Sequence, residues 1–124
     1  MKRVRQRDTP PERMVRQLLT EGGAKYRLNV GGLPGSPDVA NKKRKKAIFV
    51  HGCFWHYHAD CARGRIPTRN STFWEEKLYG NRERDVRKIR GLEEKGYDVL
   101  VVWECQLTDP DSLRERLMNF WFDE

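Results

Sequence analysis

The sequence predicts an α/β fold in which helices flank a central mixed β-sheet. Three observations predict it: capped segments with apolar residues at helical spacing, short apolar runs typical of buried strands, and their order along the chain. That order is helix, strands, helices, strand, helix. The 124 residues suit one domain, so we expect residues 1–124 to form a single unit.

The first helix is expected to start near Thr9. Thr9 is a suitable N-cap, Pro10 suits the first turn, and Glu12 completes a capping-box pattern. The pair Gly22–Gly23 then ends the helix. Apolar residues recur at helical spacing between these limits, namely Met14, Val15, Leu18 and Leu19.

A β-hairpin is predicted next. Residues 25–30 (KYRLNV) alternate like a strand, and the turn-rich GGLPGSPD segment delivers Asp38 to the start of another short strand. The polar turn NKKRKK precedes Ala47–Val50, a buried strand. The hairpin therefore has Asp38 on one arm and Val50 on the other.

The second half of the chain completes the α/β order. Residues Thr72–Leu78 and Asn81–Lys95 are predicted as two helices, and 109–122 as the last helix. Residues 98–105 (DVLVVWEC) form a continuous apolar run, which is typical of a strand covered on both faces. Two of the tryptophans are assigned to the core, Trp103 and Trp121.

Positive charge is concentrated in the first 50 residues. They hold 13 Lys or Arg and 4 Asp or Glu, for a net charge of +9, whereas the remaining residues sum to −2. A basic region of this kind favours a nucleic-acid partner. The run Lys42–Lys46 taken alone is equally consistent with a solvated surface.

The sequence points to the cytoplasm. No apolar run is long enough to span a membrane, and the N-terminus lacks the apolar segment of a secretory signal. The three cysteines of a reducing compartment then favour metal binding over disulfides.

The stretch VHGCFWHYHADC concentrates all three histidines and two of the three cysteines. Zinc favours four tetrahedral thiolate and imidazole ligands, which Cys53, His58, Cys61 and Cys105 would supply. No open position would remain, so the zinc would be structural. Other assignments stay open: His51 and His56 are rival imidazoles, and Cys53 and Cys105 could be small core residues.

Four polar residues near this stretch remain as candidates for catalysis. Asp38 is placed to hold Mg²⁺ together with the carbonyl of Val50, because hard ions prefer oxygen ligands. His56 is the candidate base that activates water for phosphodiester hydrolysis. Three of the four have a simpler alternative: Asp38 as a turn residue, Glu12 as a capping residue, and His51 as a partner of the backbone.

Three aromatic residues flank the ligands. Phe54 and Trp55 lie between Cys53 and His58, and Trp74 starts a helix. Exposed apolar side chains of this kind can insert between base pairs and deform a duplex. The alternative is that they pack around a small zinc lobe.

These motifs together resemble the very short patch repair (Vsr) endonucleases. The resemblance runs from Arg7 to Leu117 and includes RDTPPE, LPGSPD, HGCFWHYHADC, FWEEKLYGNRERD and GYDVLVVWEC, in order. It implies a restriction-endonuclease-like core, a variant of the PD-(D/E)xK nucleases. It further implies Mg²⁺-dependent nicking of double-stranded DNA on the 5′ side of the mispaired thymine in a T·G mismatch, with zinc as a structural ion.

The resemblance also implies roles for individual residues. Asp38 and the Val50 carbonyl would bind Mg²⁺, His56 would be the general base, and Glu12 and His51 would support the site. Valine stands at position 50 where well-known members have threonine, so only a backbone role is retained there. The zinc ligands would be Cys53, His58, Cys61 and Cys105, and the residues at the DNA would be Phe54, Trp55, Trp74 and Asn81.

Two other functions remain open at this point. The chain could be a Vsr-like nuclease with another DNA target, in defence or homing, or a zinc-stabilised DNA-binding module without catalysis. An asymmetric mismatch suits a monomer, and other mismatch-repair proteins are candidate partners. A pure binder would need neither Asp38 nor His56, whereas a substrate panel separates the two nucleases.

Overall fold

The computed structural model describes residues 9–28, 32–54, 56, 58, 61 and 65–122. Within these ranges, one four-stranded sheet has the order β1-β2-β3-β4. β1 and β2 pair antiparallel, as do β2 and β3, whereas β3 and β4 pair parallel. The predicted mixed sheet is therefore confirmed. The elements in chain order are α1 (Pro10–Glu21), β1 (Arg27–Leu28), β2 (Val39–Asn41), β3 (Lys46–His51), α2 (Ser71–Glu94), β4 (Asp98–Trp103), a 3₁₀ helix (Glu104–Thr108) and α3 (Pro110–Phe122).

Helices cover both faces of this sheet. Residues of β2 alternate between the faces, so that Val39 packs into one apolar cluster and Ala40 into the other. The helices α1 and α3 belong to the first cluster, and Leu92 of α2 belongs to the second. None of the described helices has the length and apolar character needed to cross a membrane.

The start of α1 matches its sequence signals. The Thr9 side chain accepts a hydrogen bond from the Glu12 N–H at 3.4 Å, as an N-cap does. At the other end, the Gly22 N–H donates to the Leu18 carbonyl at 3.1 Å. Glu12 is only 7% exposed, so its side chain also lies against the protein interior.

The helix α2 corrects one expectation. The two helices predicted over Thr72–Leu78 and Asn81–Lys95 are one continuous 24-residue helix, Ser71–Glu94. A glycine inside a helix costs only about 1 kcal/mol relative to alanine, so Gly80 does not interrupt it. The buried residues of α2 recur every seven positions, at Leu78, Asp85 and Leu92.

The last strand is less buried than predicted. Among the described strands β4 has one neighbour, β3, so it is an edge strand. Val102 is buried, whereas the rest of β4 is half-buried or exposed. Leu100 and Val102 contact the first apolar cluster, and Val99 and Val101 contact the second, so the expected coverage of both faces is confirmed. Trp103 is half-buried, whereas Trp121 is fully buried as predicted. Cys105 lies in the 3₁₀ helix and not in the strand.

The basic turn between β2 and β3 contributes to the fold. Arg44 donates to the Trp121 carbonyl at 3.1 Å and Lys45 donates to the Lys95 carbonyl at 3.2 Å. Both carbonyls lie at helix C-termini, where cations are favourable. Lys46 is 2.8 Å from the Asp98 carboxylate. Arg44 and Lys45 thus join the turn to two helices, and Lys46 joins β3 to β4, so this basic segment is more than a solvated surface.

We expect Leu117→Ala to lower the free energy of unfolding by about 2–5 kcal/mol, because truncating a buried leucine leaves a cavity. Leu117 is fully buried in the cluster between α1 and α3. Leu28→Ala is the control, since Leu28 is 43% exposed, and such surface changes usually stay within about 0.5 kcal/mol. Urea unfolding followed by circular dichroism measures both. Equal effects of the two variants would contradict this packing.

Candidate active site and metal centre

The candidate site lies where β3 and β4 end. These parallel strands place His51 opposite Trp103 and Val50 opposite Val102. Parallel strands have their carboxyl ends at the same edge of a sheet. The loop that follows His51 therefore meets the 3₁₀ helix that follows Trp103, and the functional side chains gather there in two clusters.

The first cluster contains the predicted zinc ligands. The ligand atoms of Cys53, His58, Cys61 and Cys105 all lie within 4.8 Å of one another. The Cys105 Sγ and His58 Nδ1 atoms are 3.6 Å apart. A tetrahedral zinc site separates such a sulfur and nitrogen by about 3.6 Å, given Zn–S and Zn–N bonds of about 2.3 and 2.1 Å. The arrangement can hold one metal ion, and it selects His58 among the three imidazoles.

Backbone hydrogen bonds shape the loop around this cluster. The His58 N–H donates to the Cys53 carbonyl at 2.9 Å, and the Cys61 N–H donates to the His58 carbonyl at 3.3 Å. The Cys105 N–H donates to the Cys53 Sγ at 3.3 Å. The loop thus curls back on itself and is attached to the 3₁₀ helix, which accounts for the close approach of ligands distant in sequence.

Burial keeps the thiol of Cys53 protonated. Desolvation raises its pKa to about 12, and the neighbouring thiols of Cys105 and Cys61 add to the rise. A metal ion in contact with a thiol reverses this effect, because the cation stabilises the thiolate. The alternative of simple core packing does not explain why three thiols and an imidazole converge.

The second cluster contains two histidines and an aspartate. His56 Nδ1 is 2.6 Å from Asp85 Oδ2, and His51 Nε2 is 4.0 Å from Asp85 Oδ1. The imidazole rings of His51 and His56 are stacked, with centroids 3.9 Å apart and planes 5° apart. Because an ionised carboxylate only accepts hydrogen bonds, His56 Nδ1 carries the proton and His56 Nε2 is left to accept another. This is the arrangement of an oriented base.

Sequence reasoning missed Asp85. It lies on α2, is only 8% exposed, and occupies the position between Leu78 and Leu92 where the seven-residue spacing calls for a core residue. A buried carboxylate requires a partner. The sequence feature that could have identified Asp85 was therefore a charged residue at a core position of an amphipathic helix.

His51 is buried and uncharged. Desolvation, together with repulsion from His56, lowers its pKa to about 3, although Asp85 opposes the shift. Its Nδ1 has no hydrogen-bond partner among the described residues. The edge of its ring faces Trp103, with centroids 5.2 Å apart. His51 therefore lies as a neutral ring between Trp103 and His56.

Asp38 lies immediately before β2, at the end of the hairpin that also carries Val50. Its Oδ2 accepts a hydrogen bond from the Val50 N–H at 2.7 Å. Burial raises the pKa of Asp38 to about 6, with the Val50 N–H opposing the rise, Glu12 adding to it, and His56 lowering it. These interactions bring Asp38, Glu12 and His56 into one electrostatic site.

The aromatic residues form a separate group beside the loop. Phe54 and Trp74 meet edge to face with ring centroids 5.4 Å apart, and Phe73 meets Trp74 at 5.1 Å. Phe73, which sequence reasoning did not select, is 56% exposed. Trp55 lies outside the described residues. The side chain of Asn81 accepts a hydrogen bond from Arg84.

Comparison with known proteins identifies relatives of this chain. A family model described as DNA mismatch endonuclease Vsr matches residues 1–63. The Type II nicking enzyme V.XorIIP of Xanthomonas oryzae pv. oryzae is 44% identical over 96% of this chain and 87% of that protein. The DNA mismatch endonuclease Vsr of Escherichia coli is 39% identical over 100% of this chain and 79% of that protein.

The fold and these relatives define a DNA endonuclease with a restriction-endonuclease-like core, which confirms the sequence-based fold class. A further Type II nicking enzyme, V.NmeAIP of Neisseria meningitidis, is 43% identical over 94% of this chain and 83% of that protein. The chain belongs to the Vsr family.

We expect the His51 imidazole to remain neutral between pH 5 and 8, since its pKa is lowered to about 3. Long-range ¹H–¹⁵N spectra across that range measure the protonation of each ring. The signals of His51 are assigned as those that disappear in the His51→Gln variant. In the wild type, these signals should not shift between pH 5 and 8. A wild-type His51 that titrates with a pKa near the unperturbed value of about 6.5 would contradict its burial beside His56.

Proposed function

We propose that this protein nicks double-stranded DNA on the 5′ side of the mispaired thymine at T·G mismatches, by Mg²⁺-dependent hydrolysis. The observation that carries the proposal is the meeting of Asp38, Glu12 and the His56–Asp85 pair at one edge of the sheet. The E. coli relative named DNA mismatch endonuclease Vsr supports the choice of substrate. The bacterial relatives support action in the cytoplasm. We further propose that the protein acts as a single-domain monomer, with other mismatch-repair proteins as candidate partners.

The Asp38 carboxylate and the Val50 carbonyl would hold Mg²⁺. The site fits a cation, because two neighbouring carboxylates, Asp38 and Glu12, are largely withdrawn from water and repel each other. When bound there, Mg²⁺ neutralises charge on the phosphate and on the leaving oxygen. Glu12 adds negative charge that favours the cation without contacting the reacting atoms.

His56 would remove a proton from the attacking water. The Asp85 carboxylate accepts a hydrogen bond from His56 Nδ1–H at 2.6 Å. This hydrogen bond fixes the ring and leaves Nε2 as the basic atom. The His56 side chain is 29% exposed, so water can reach it. His51 supports this base by stacking against it. Because His51 is neutral, it does so without adding charge that would resist protonation of His56.

The cluster of Cys53, His58, Cys61 and Cys105 would hold a structural zinc ion. Three thiolates and one imidazole match the preference of zinc and leave no position open for substrate. Zinc would also fix the loop that carries His56, since this residue lies between two of the ligands in sequence. The metal centre therefore contributes to catalysis by holding the base in place.

The aromatic group would contact the duplex beside the mismatch. Phe54 and Trp74 pack edge to face next to the loop of the candidate base, and Trp55 follows Phe54 in sequence. Apolar side chains that enter a base step unstack it and bend the DNA, which is cheapest at a mispair. Asn81, on the same helix as Trp74, is proposed to lie near the DNA backbone.

A second candidate is a Vsr-like nuclease with a different DNA target, for example in defence or homing. It is favoured by the relatives named Type II nicking enzymes. A DNA-binding module without catalysis is less well supported, because binding alone gives no reason for an imidazole oriented by a buried carboxylate.

We expect wild-type protein with Mg²⁺ to nick a T·G duplex more than other mismatches or a fully paired duplex. Asp38→Asn and His56→Ala should reduce single-turnover nicking by about 10²-fold or more, the size of a lost general base. Glu115→Gln is the control for loss of a carboxylate, because Glu115 is exposed on α3. Denaturing gels of end-labelled duplexes measure the products.

The panel also separates the candidate functions. Nicking of paired DNA at a fixed sequence, without preference for T·G, would select the nuclease with another target. Absence of Mg²⁺-dependent cleavage on every duplex would reject both nucleases.

We expect one zinc ion per chain in protein purified without chelator. Cys61→Ser and Cys105→Ser should lose the zinc and about tenfold or more of the nicking rate, because ligand loss releases the loop around His56. His51→Gln should keep the zinc, since His51 lies in the other cluster. Elemental analysis by plasma mass spectrometry measures the ratio, and a value near zero in the wild type would argue against the zinc site.

A further inference from the structure

The helix α2 carries a lysine one turn beyond Asp85 that neither cluster uses. Lys88 follows Asp85 by three positions, so both side chains point to the same side of the helix. That side faces the loop that leads into Asp38. A Cβ built on Gly35 would lie 2.6, 2.7 and 2.8 Å from the Cβ, Cγ and Cδ atoms of Lys88.

Gly35 makes this close approach possible. The Lys88 side chain passes so close to Gly35 that any side chain at position 35 would overlap it. The φ angle of Gly35 is +73°, a conformation that also favours glycine. One turn further along α2, Gly91 lies against Pro34 of the same loop, with a built Cβ at 3.0 Å. Two successive turns of α2 therefore pack against this loop.

The ammonium of Lys88 acts on the candidate active site. Its charge lowers the pKa of Asp38 and, with weaker effect than burial, the pKa of His51. Within the described residues the ammonium has no ion-pair or hydrogen-bond partner, and the residue is exposed. Its stem is held by the protein while its charge remains available to an anion.

We infer that Lys88 binds a backbone phosphate of the DNA at the catalytic edge, with its stem positioned by Gly35. The inference rests on the proposed function, which places the scissile phosphate between Asp38 and His56. A DNA strand that lies there passes the α2 face bearing Asp85 and Lys88. An ammonium with three free donors suits a phosphate oxygen, and it would add positive charge beside the metal-binding carboxylate.

A competing explanation is that Lys88 serves only the fold, by offsetting the buried charges of Asp38 and Glu12. The two roles differ in a measurable way. A phosphate contact releases counterions, so its loss reduces the steepness with which DNA affinity falls with salt. A lysine that acts only within the protein leaves that slope unchanged and affects stability alone.

The experiment compares Lys88→Gln with Lys88→Arg and with Lys95→Gln, a matched loss of charge at the C-cap of the same helix, seven residues further on. Affinity for a T·G duplex is measured by fluorescence anisotropy at several salt concentrations, without added divalent metal so that the DNA stays intact. Lys88→Gln should reduce the slope of log affinity against log salt by about 1, whereas Lys88→Arg and Lys95→Gln keep the wild-type slope.

Single-turnover nicking with saturating protein provides the second readout. Lys88→Gln should slow nicking by about 10²-fold, as expected for one removed donor to the transition-state charge, and Lys88→Arg should restore most of the rate. Gly35→Ala should reduce the slope in the same direction, and adding it to Lys88→Gln should cause little further loss, since coupled residues are not additive. If Gly35→Ala does not fold, the Lys88 variants alone decide the question.

Two results would overturn the inference: a wild-type slope in Lys88→Gln, or an equal loss of slope in Lys95→Gln, which would mean that the slope reports overall charge. The outcome is separable from that of the proposed function. If the wild type nicks no duplex, the proposed function fails, while the salt dependence of binding still tests the contact made by Lys88.

Discussion

The parallel pairing of β3 with β4 is the constraint on which the site depends. Its register aligns six residue pairs and ends with His51 opposite Trp103. Cys53 follows His51 by two positions, and Cys105 follows Trp103 by two, so the register alone brings these cysteines together from 52 residues apart. A shift of the register by one residue would turn both sets of side chains to opposite faces. The metal ligands and the candidate base are thus positioned by backbone pairing.

A continuous series of rings connects the two clusters. His58 stacks on Trp103 with centroids 4.1 Å apart, Trp103 meets His51 edge to face at 5.2 Å, and His51 stacks on His56 at 3.9 Å. Packed rings resist displacement because close-packed interiors offer little free volume. Through these contacts, a displacement of His58 would reach the candidate base His56.

The residue types and spacing were sufficient to predict the convergence of three cysteines with His58, the hairpin with Asp38 and Val50, and the mixed sheet. They were insufficient for contacts that tertiary packing creates. Asp85 belongs to the site only because α2 crosses the sheet face next to His56, and spacing along the chain carries no such information. The single helix over Ser71–Glu94 was missed for a related reason, since tertiary packing decides whether a glycine is accommodated within a helix.

The pKa shifts of Asp38 and His51 have opposite effects on how the stability of the protein depends on pH. Asp38 has its pKa raised from 3.8 to about 6, so the folded protein binds more protons than the unfolded chain in that interval, and this contribution to stability falls as pH rises. His51 has its pKa lowered from 6.5 to about 3, so its contribution falls as pH decreases through that interval. In the pH range where the two intervals overlap, the stability contributions of Asp38 and His51 therefore change in opposite directions with pH.

At neutral pH this balance leaves Asp38 ionised and His51 uncharged. Asp38 is then a buried carboxylate beside Glu12, and among the described groups the Val50 N–H, His56 and Lys88 favour its ionised form. The remaining cost of holding that charge is relieved by any cation that binds the folded site, and such binding adds to stability in proportion to its affinity. In the proposed function, Mg²⁺ would be that cation, bound between Asp38 and the phosphate of the substrate.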